Sequence, residues 1–236
     1  MVRSVTRMSH ASGNVRFGPL PDTAALAVFH YNGPLLDPDT GPVISMILAA
    51  PELQHGPQLA KLKKAAEIFE TCPFNTYTGP ETPELLIITS SACSLYSREA
   101  VAILGLEERV GILKLATTWP LPRRLLTGHL ARAARILFVE DVAPTLEDHV
   151  KIIAAETAAE IGVKTFYGKK SGHLPAVGEL NPDLVINALA ALLSIPYEPL
   201  TDEFSGKLKD LAVRYAPPRG MTFCPGCPHR ASYWSI

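Results

Sequence analysis

Apolar and polar positions change period several times along this chain, and the changes predict its elements. Glu84–Thr89 (ELLIIT) is a short apolar run containing β-branched residues, and Val110–Thr117, Arg135–Glu140 and Val163–Tyr167 read the same way; each predicts a strand. Between them Ser94–Leu104, Pro122–Ala134 and Thr145–Ile161 predict helices, the first stopped by Gly105. Leu125, Leu126 and Leu130 are expected to turn inward, and Ile152, Ile153 and Ala158 to face a sheet. A loop over Gly168–Asn181 and a helix over Pro182–Ile195 complete the series. Four strand-then-helix pairs predict an α/β fold, with an open, mainly parallel, doubly wound sheet covered on both faces. Functional loops in such sheets lie at the C-terminal ends of strands. Those ends are Ser90–Cys93, Thr117–Pro122, Glu140–Pro144 and Gly168–His173.

The flanks read differently. Up to about Thr78 the chain is an irregular N-terminal connector punctuated by Gly13, Gly18, Pro19, Pro21, Gly33, Pro34, Pro38, Gly41 and Pro42. Only Gly56–Thr71 is clearly helical there, and Leu59, Leu62, Ala66 and Phe69 are expected to pack it against something else. Beyond the α/β region Phe204–Arg214 predicts a helix and Ala216–Gly220 a proline linker. The motif Phe223-Cys224-Pro225-Gly226-Cys227-Pro228-His229-Arg230 then stands close to the last residue. With nothing after it to complete a domain, the chain is expected to be an internal fragment. The expected division is 1–80, 81–200 and 201–236.

Composition narrows the class. The 236 residues are 47% hydrophobic and 19% charged, which excludes a disordered chain. With 22 basic and 23 acidic residues the net charge is −1, so no net attraction to nucleic acid or an anionic membrane is expected. Four cysteines are too few for a disulfide scaffold of this length and imply a reducing compartment. The N-terminus has no apolar run of the signal-peptide kind. Val43–Pro51 and Ile186–Pro196, the longest apolar stretches, are too short to span a bilayer. A soluble, cytoplasmic protein is therefore expected.

Candidate chemistry is concentrated at the end of the chain. Cys224 and Cys227 form a Cys-x-x-Cys pair around a Pro225-Gly226 turn, a spacing that presents two thiolates to zinc or to an iron–sulfur cluster. His229 stands two residues beyond. Either centre normally takes four ligands, so the pair is a half-site. Cys93, in an apolar segment, reads as a structural thiol, and Cys72, before Pro73, as a connector cysteine. Gly168-Lys169-Lys170-Ser171-Gly172-His173 looks like a phosphate loop at a glance but lacks the required Gly-x-x-x-x-Gly-Lys-Ser/Thr order, and a solvated turn is the plainer reading. His149 reads as a surface residue and Glu140, ending a strand, as a helix-capping or loop residue. No self-contained catalytic constellation is present. A non-catalytic assembly or docking module, with a zinc half-site on Cys224, Cys227 and His229, is the rival to an enzyme.

An ordered set of short stretches points to a family. These are Thr6-Arg7-Met8-Ser9-His10, Leu86-Ile87-Ile88-Thr89-Ser90, Leu113 to Pro122 (LKLATTWPLP), Phe138-Val139-Glu140, Gly168-Lys169, Leu174-Pro175, Gly178 to Asp183 (GELNPD) and Cys224 to Arg230. With them the chain resembles an internal piece of the indolepyruvate:ferredoxin oxidoreductase alpha-subunit family, thiamine-diphosphate-dependent 2-oxoacid:ferredoxin oxidoreductases. The resemblance implies that residues 81–200 are a transketolase C-terminal-like domain. It makes residues 1–80 the tail of a thiamine-pyrimidine domain plus connector, and residues 201–236 a linker helix and the start of a diphosphate-binding domain. It implies thiamine diphosphate with Mg²⁺ and [4Fe–4S] clusters in the complete enzyme. Its partners there would be a beta subunit, ferredoxin, an aryl pyruvate and coenzyme A, and the protein's task would be to bind and orient the cofactors. Cys224 and Cys227 become cluster ligands, and Pro225, Gly226 and His229 line the cofactor region. The missing domains imply that this piece alone binds no cofactor stably and is inactive. Ser91 and Ala116 stand where the family tends to Gly, which puts the loop shape at those positions in question.

Overall fold

Each predicted strand is apolar on consecutive residues, a pattern that only a sheet covered on both faces can satisfy. The computed structural model describes residues 16, 18, 36–37, 41–42, 51–198, 202–215 and 228–235. It divides into two units, Met1–Ile195 and Pro196–Ile236. In the first, β1 (Leu36–Asp37) and β2 (Gly41–Pro42) form a small antiparallel pair, followed by helix α1 (Pro51–Phe69). The main sheet contains β3 (Thr76–Thr78), β4 (Leu85–Thr89), β5 (Val110–Lys114), β6 (Arg135–Val139) and β7 (Thr165–Tyr167), in the order β3-β5-β4-β6-β7. Its helices are α2 (Cys93–Ile103), α3 (Arg123–Ala131), α4 (Thr145–Glu156), α5 (Ala158–Ile161) and α6 (Pro182–Leu192). The second unit contributes α7 (Asp202–Tyr215) and α8 (Pro228–Trp234).

β4, β5, β6 and β7 are mutually parallel where they pair, Ile87 standing opposite Ile112 on one side and Leu137 on the other. The order places β5 and β6 on opposite sides of β4. Crossovers of one hand then put the helix after β4 on one face and the helices after β5 and β6 on the other. The packing agrees. Leu86, Ile88, Leu113, Leu115, Ile136 and Phe138 form one cluster with Leu126 and Leu130 of α3 and Leu146, Val150 and Ile153 of α4. α2 packs on β4 and β5 and against α6, whose Val185, Ile186 and Leu189 are buried. Leu85, Leu86, Ile87 and Ile88 are fully buried, each large apolar side chain contributing about 1.5–3 kcal/mol. The expected α/β, mainly parallel, doubly wound sheet is the observed one.

Several boundaries and one strand differ. β3 falls where a structureless connector was expected. It is an antiparallel edge strand on β5, and Asn75 fixes its start by accepting from the Ala116 and Thr117 amides at 2.8 and 3.1 Å. Three residues are too short to show a period. The helix expected at Gly56 begins at Pro51 with Pro57 inside it, and Leu59 and Leu62 remain 52% and 41% exposed rather than packed away. The single helix expected over Thr145–Ile161 is two, α4 and α5. They part at Thr157, whose hydroxyl bonds back to the Ile153 carbonyl at 2.7 Å and competes with the helical ladder. Ile152, expected to face the sheet, points outward because its neighbour Ile153, about 100° round the helix, takes that place. α6 begins as its sequence dictates, Asn181 Oδ1 accepting from the Leu184 amide at 3.0 Å ahead of Pro182.

Two glycines make opposite predictions. Gly79 has φ +127°, and an added Cβ would stand 2.6 Å from the Val110 carbonyl oxygen. Gly79→Ala should therefore destabilise the chain by at least ~2 kcal/mol. Gly128, inside α3 with open space around it, should gain about 0.5–1 kcal/mol on Gly128→Ala. Urea-unfolding midpoints of the two variants check both signs.

Candidate functional site

The four sequence-predicted loops gather at one edge of the sheet because their parallel strands all end there. α4 starts after Pro144, which has no side chain to cap it. Glu140, at the end of β6, does so instead: its two carboxylate oxygens accept from the Leu146 and Glu147 amides at 2.7 and 2.8 Å. The expected capping role is thus the observed one. Burial pushes the Glu140 carboxyl above its ordinary value, the two amides opposing that shift.

Glu147, in a stretch that reads as polar surface, is fully buried. Its Oε1 pairs with Lys151 at 2.5 Å, one helical turn on, and its Oε2 lies against Gly168, where an added Cβ would stand 2.6 Å away. The Gly168–His173 loop is therefore more than a solvated turn. Lys169 is only 6% exposed and donates to the Val142 carbonyl at 2.8 Å, while exposed Lys170 pairs with Asp148. Both lysines tie the loops together. Ser171 and His173 are exposed, Ser171 Oγ lying 2.9 Å from His173 Nδ1. His149 is half-buried: its Nδ1 lies 2.6 Å from the Thr145 carbonyl and its ring meets Trp119 edge-on.

On the other side of the edge, α2 opens with Cys93, 1% exposed. Burial first, then the neighbouring Asp141 carboxylate, pushes its thiol up to about 12, so Cys93 is a protonated structural cysteine, as expected, and no thiolate ligand. Asp141 Oδ1 accepts from the Leu180 amide at 3.1 Å. The same carboxylate takes a side-chain hydrogen bond from the Cys93 thiol, whereas the hydroxyl of fully buried Thr89 is enclosed without a partner. Ser91 and Val142, in the two loops concerned, hold φ of +54° and +65°. Such a conformation costs a non-glycine residue about 1–2 kcal/mol.

Cys224, Pro225, Gly226 and Cys227 lie outside the described residues, so only His229 of the sequence-predicted set is placed. It is exposed on α8. Among the described residues no group of three or more His, Cys, Asp or Glu side chains converges as metal ligands, and no helix is long and apolar enough to cross a membrane.

Comparison with known proteins gives the chain its place. No family model matches it. It is 31% identical over 236 residues to the indolepyruvate oxidoreductase subunit IorA of Thermococcus kodakarensis, and equally so to that of Pyrococcus horikoshii. The Archaeoglobus fulgidus subunit of the same name is 31% identical over 237 residues. The whole chain is similar to a segment of IorA. Each alignment takes in all of this chain but 35% of the relative, so the chain spans about a third of the IorA length. Among solved structures, the 2-oxoglutarate:ferredoxin oxidoreductase of Magnetococcus marinus aligns with 61% of this chain and 24% of its own, at 16% identity and a TM-score of 0.43.

Two measurements check this geometry. Alkylation by iodoacetamide at pH 8 should label half-exposed Cys72 in the native chain and Cys93 only after unfolding, as read by mass spectrometry. Glu140 binds its proton more tightly in the folded chain, so its contribution to stability is full below the ordinary value of 4.5 and lost as pH rises through the raised one. Across that window the wild type should lose stability relative to Glu140→Gln, measured by urea unfolding at each pH.

Proposed function

We propose that this chain is the α/β scaffold segment of an indolepyruvate:ferredoxin oxidoreductase alpha subunit. The parent enzyme would oxidatively decarboxylate an aryl pyruvate to the aryl-acetyl-CoA and pass electrons to ferredoxin, beside a beta subunit, in the cytoplasm. The observation that supports this is similarity to IorA over the entire length of the chain. In this reading residues 81–200 are a transketolase C-terminal-like domain, residues 1–80 a preceding domain's tail and connector, and residues 201–236 the approach to a diphosphate-binding domain.

Thiamine diphosphate would supply the carbon on which a 2-oxoacid is decarboxylated, and iron–sulfur clusters would carry the electrons away. The described residues do not fit either group. They offer no converging ligand set, and the Cys93 thiol stays protonated. In this reading, as the family resemblance implies, Cys224 and Cys227 would be cluster ligands, Pro225, Gly226 and His229 would line the cofactor region, and the remaining ligands would come from elsewhere in the parent. What the described part contributes is shape, a rigid sheet whose loops are pinned by Glu140, Glu147 and Lys169.

A chimera tests this. Residues 1–236 replacing the matching segment of the Archaeoglobus fulgidus subunit should leave indolepyruvate-dependent ferredoxin reduction intact, and Cys224→Ser with Cys227→Ser should lower its iron content. The isolated 236-residue chain should show no such reduction. A folded, iron-loaded chimera without turnover, or an active isolated chain, overturns the proposal.

A further inference from the structure

The edge of the sheet where the parallel strands end exposes large apolar side chains from one end to the other. Phe74 leads into β3, Trp119 follows β5, Val142 follows β6 and Val177 lies in the loop after β7, each between 64% and 84% exposed. Printed contacts make the row continuous. Asn75 donates to Thr117 Oγ1 at 2.8 Å, which sets Phe74 beside the Trp119 loop. The Trp119 ring meets His149 of α4, the helix that the Val142 loop enters. Asp141 Oδ1 accepts from the Leu180 amide, which brings the Val177 loop to the same place. Val142 is also a β-branched residue at φ +65°, its carbonyl held by buried Lys169, so the fold maintains strain where this side chain faces water.

The charges of this edge are already spent. Glu70 and Glu140 cap helices, Lys169 holds Val142, and Lys170 pairs with Asp148. Nothing in that set selects a charged ligand, and nothing in it repels an identical surface. A net charge of −1 adds little repulsion between copies. The apolar residues divide by size along the strand order β3-β5-β4-β6-β7: aromatic rings stand at the β3 and β5 end, valines at the β6 and β7 end, and small Ser91 after central β4. A two-fold axis through the middle lays each copy's rings on the other's valines, which is the self-complementarity that a symmetric contact requires. The four side chains present on the order of 500 Å² of apolar surface, enough for the core of an interface that buries about 800 Å² per partner.

We propose that this edge is a two-fold interface between copies of the chain, Phe74 and Trp119 of one packing on Val142 and Val177 of the other.

The test is sedimentation of the intact chain. At about 100 µM it should run at twice the 25.5 kDa of one copy, and Trp119→Ser should weaken the association at least about tenfold. Val163→Ser, exposed at the opposite edge, should leave it unchanged. Trp119→Lys and Val177→Glu should each be monomeric alone. Their equimolar mixture should regain the dimer, because one half of the contact keeps a ring on valines and the other pairs opposite charges. Continued resistance of Cys93 to alkylation confirms that each variant is folded. A monomeric wild type at that concentration overturns the proposal, as does a dimer indifferent to Trp119→Ser or a mixture that stays monomeric. Association of this chain is read without any oxidoreductase activity, so the outcome is independent of the function proposed above.

Discussion

Strand β4 has no face left for water, and the rest of the α/β unit follows from that. Flanked by β5 and β6 and buried along its whole length, it can exist only with helices on both sides. Those helices arrive because parallel neighbours cannot be joined by hairpins and each crossover must leave the sheet and return. The order of strands then fixes the faces, with α2 and α6 on one and α3, α4 and α5 on the other. It also brings every βα loop to a single edge. That edge is a consequence of burying β4, before any chemistry is considered.

Helix capping at that edge is done at a distance. α3 and α4 both follow prolines, Pro122 and Pro144, which offer no side-chain acceptor. In each case a glutamate outside the helix spreads its two oxygens over the first free amides. Glu70 takes those of Arg124 and Leu125, both at 2.9 Å, and Glu140 those of Leu146 and Glu147. Such caps join the helix ends to α1 and β6 and satisfy amides that would otherwise be orphaned beside the core. The buried Glu147 extends the same logic, because Gly168 leaves room for its carboxylate and Lys151 neutralises it. Polar groups here act as fasteners between loops, which explains why two lysines that look like a phosphate loop are already committed.

The edge also carries cost that packing does not relieve. Ser91 and Val142 are left-handed without being glycine, and Thr89 keeps its buried hydroxyl unpaired. Strain and unsatisfied polarity coincide at the strand pair where the loops diverge, while the sheet beneath is apolar and complete. The end of the chain presents the opposite case. The Cys224–Cys227 spacing is a sharp chemical signal whose ligand set calls for residues that the described part does not bring together.

Local pattern was enough to read the four parallel strands, the helices between them, the structural character of Cys93 and the Asn181-Pro182 helix start. Each depends on burial or backbone chemistry that repeats over neighbouring residues. Ordered short stretches such as Leu113 to Pro122 carried the family resemblance in the same local way. β3 escaped because three residues cannot show a period, and the break at Thr157 because one hydroxyl bond outweighed a continuous apolar spacing. The burial of Glu147 and Lys169, the remote cap from Glu70 and the unpaired hydroxyl of Thr89 were decided only by tertiary structure. Whether a carboxylate or ammonium is surface or core depends on which distant amide, carbonyl or glycine the fold sets beside it, and sequence spacing carries no record of that.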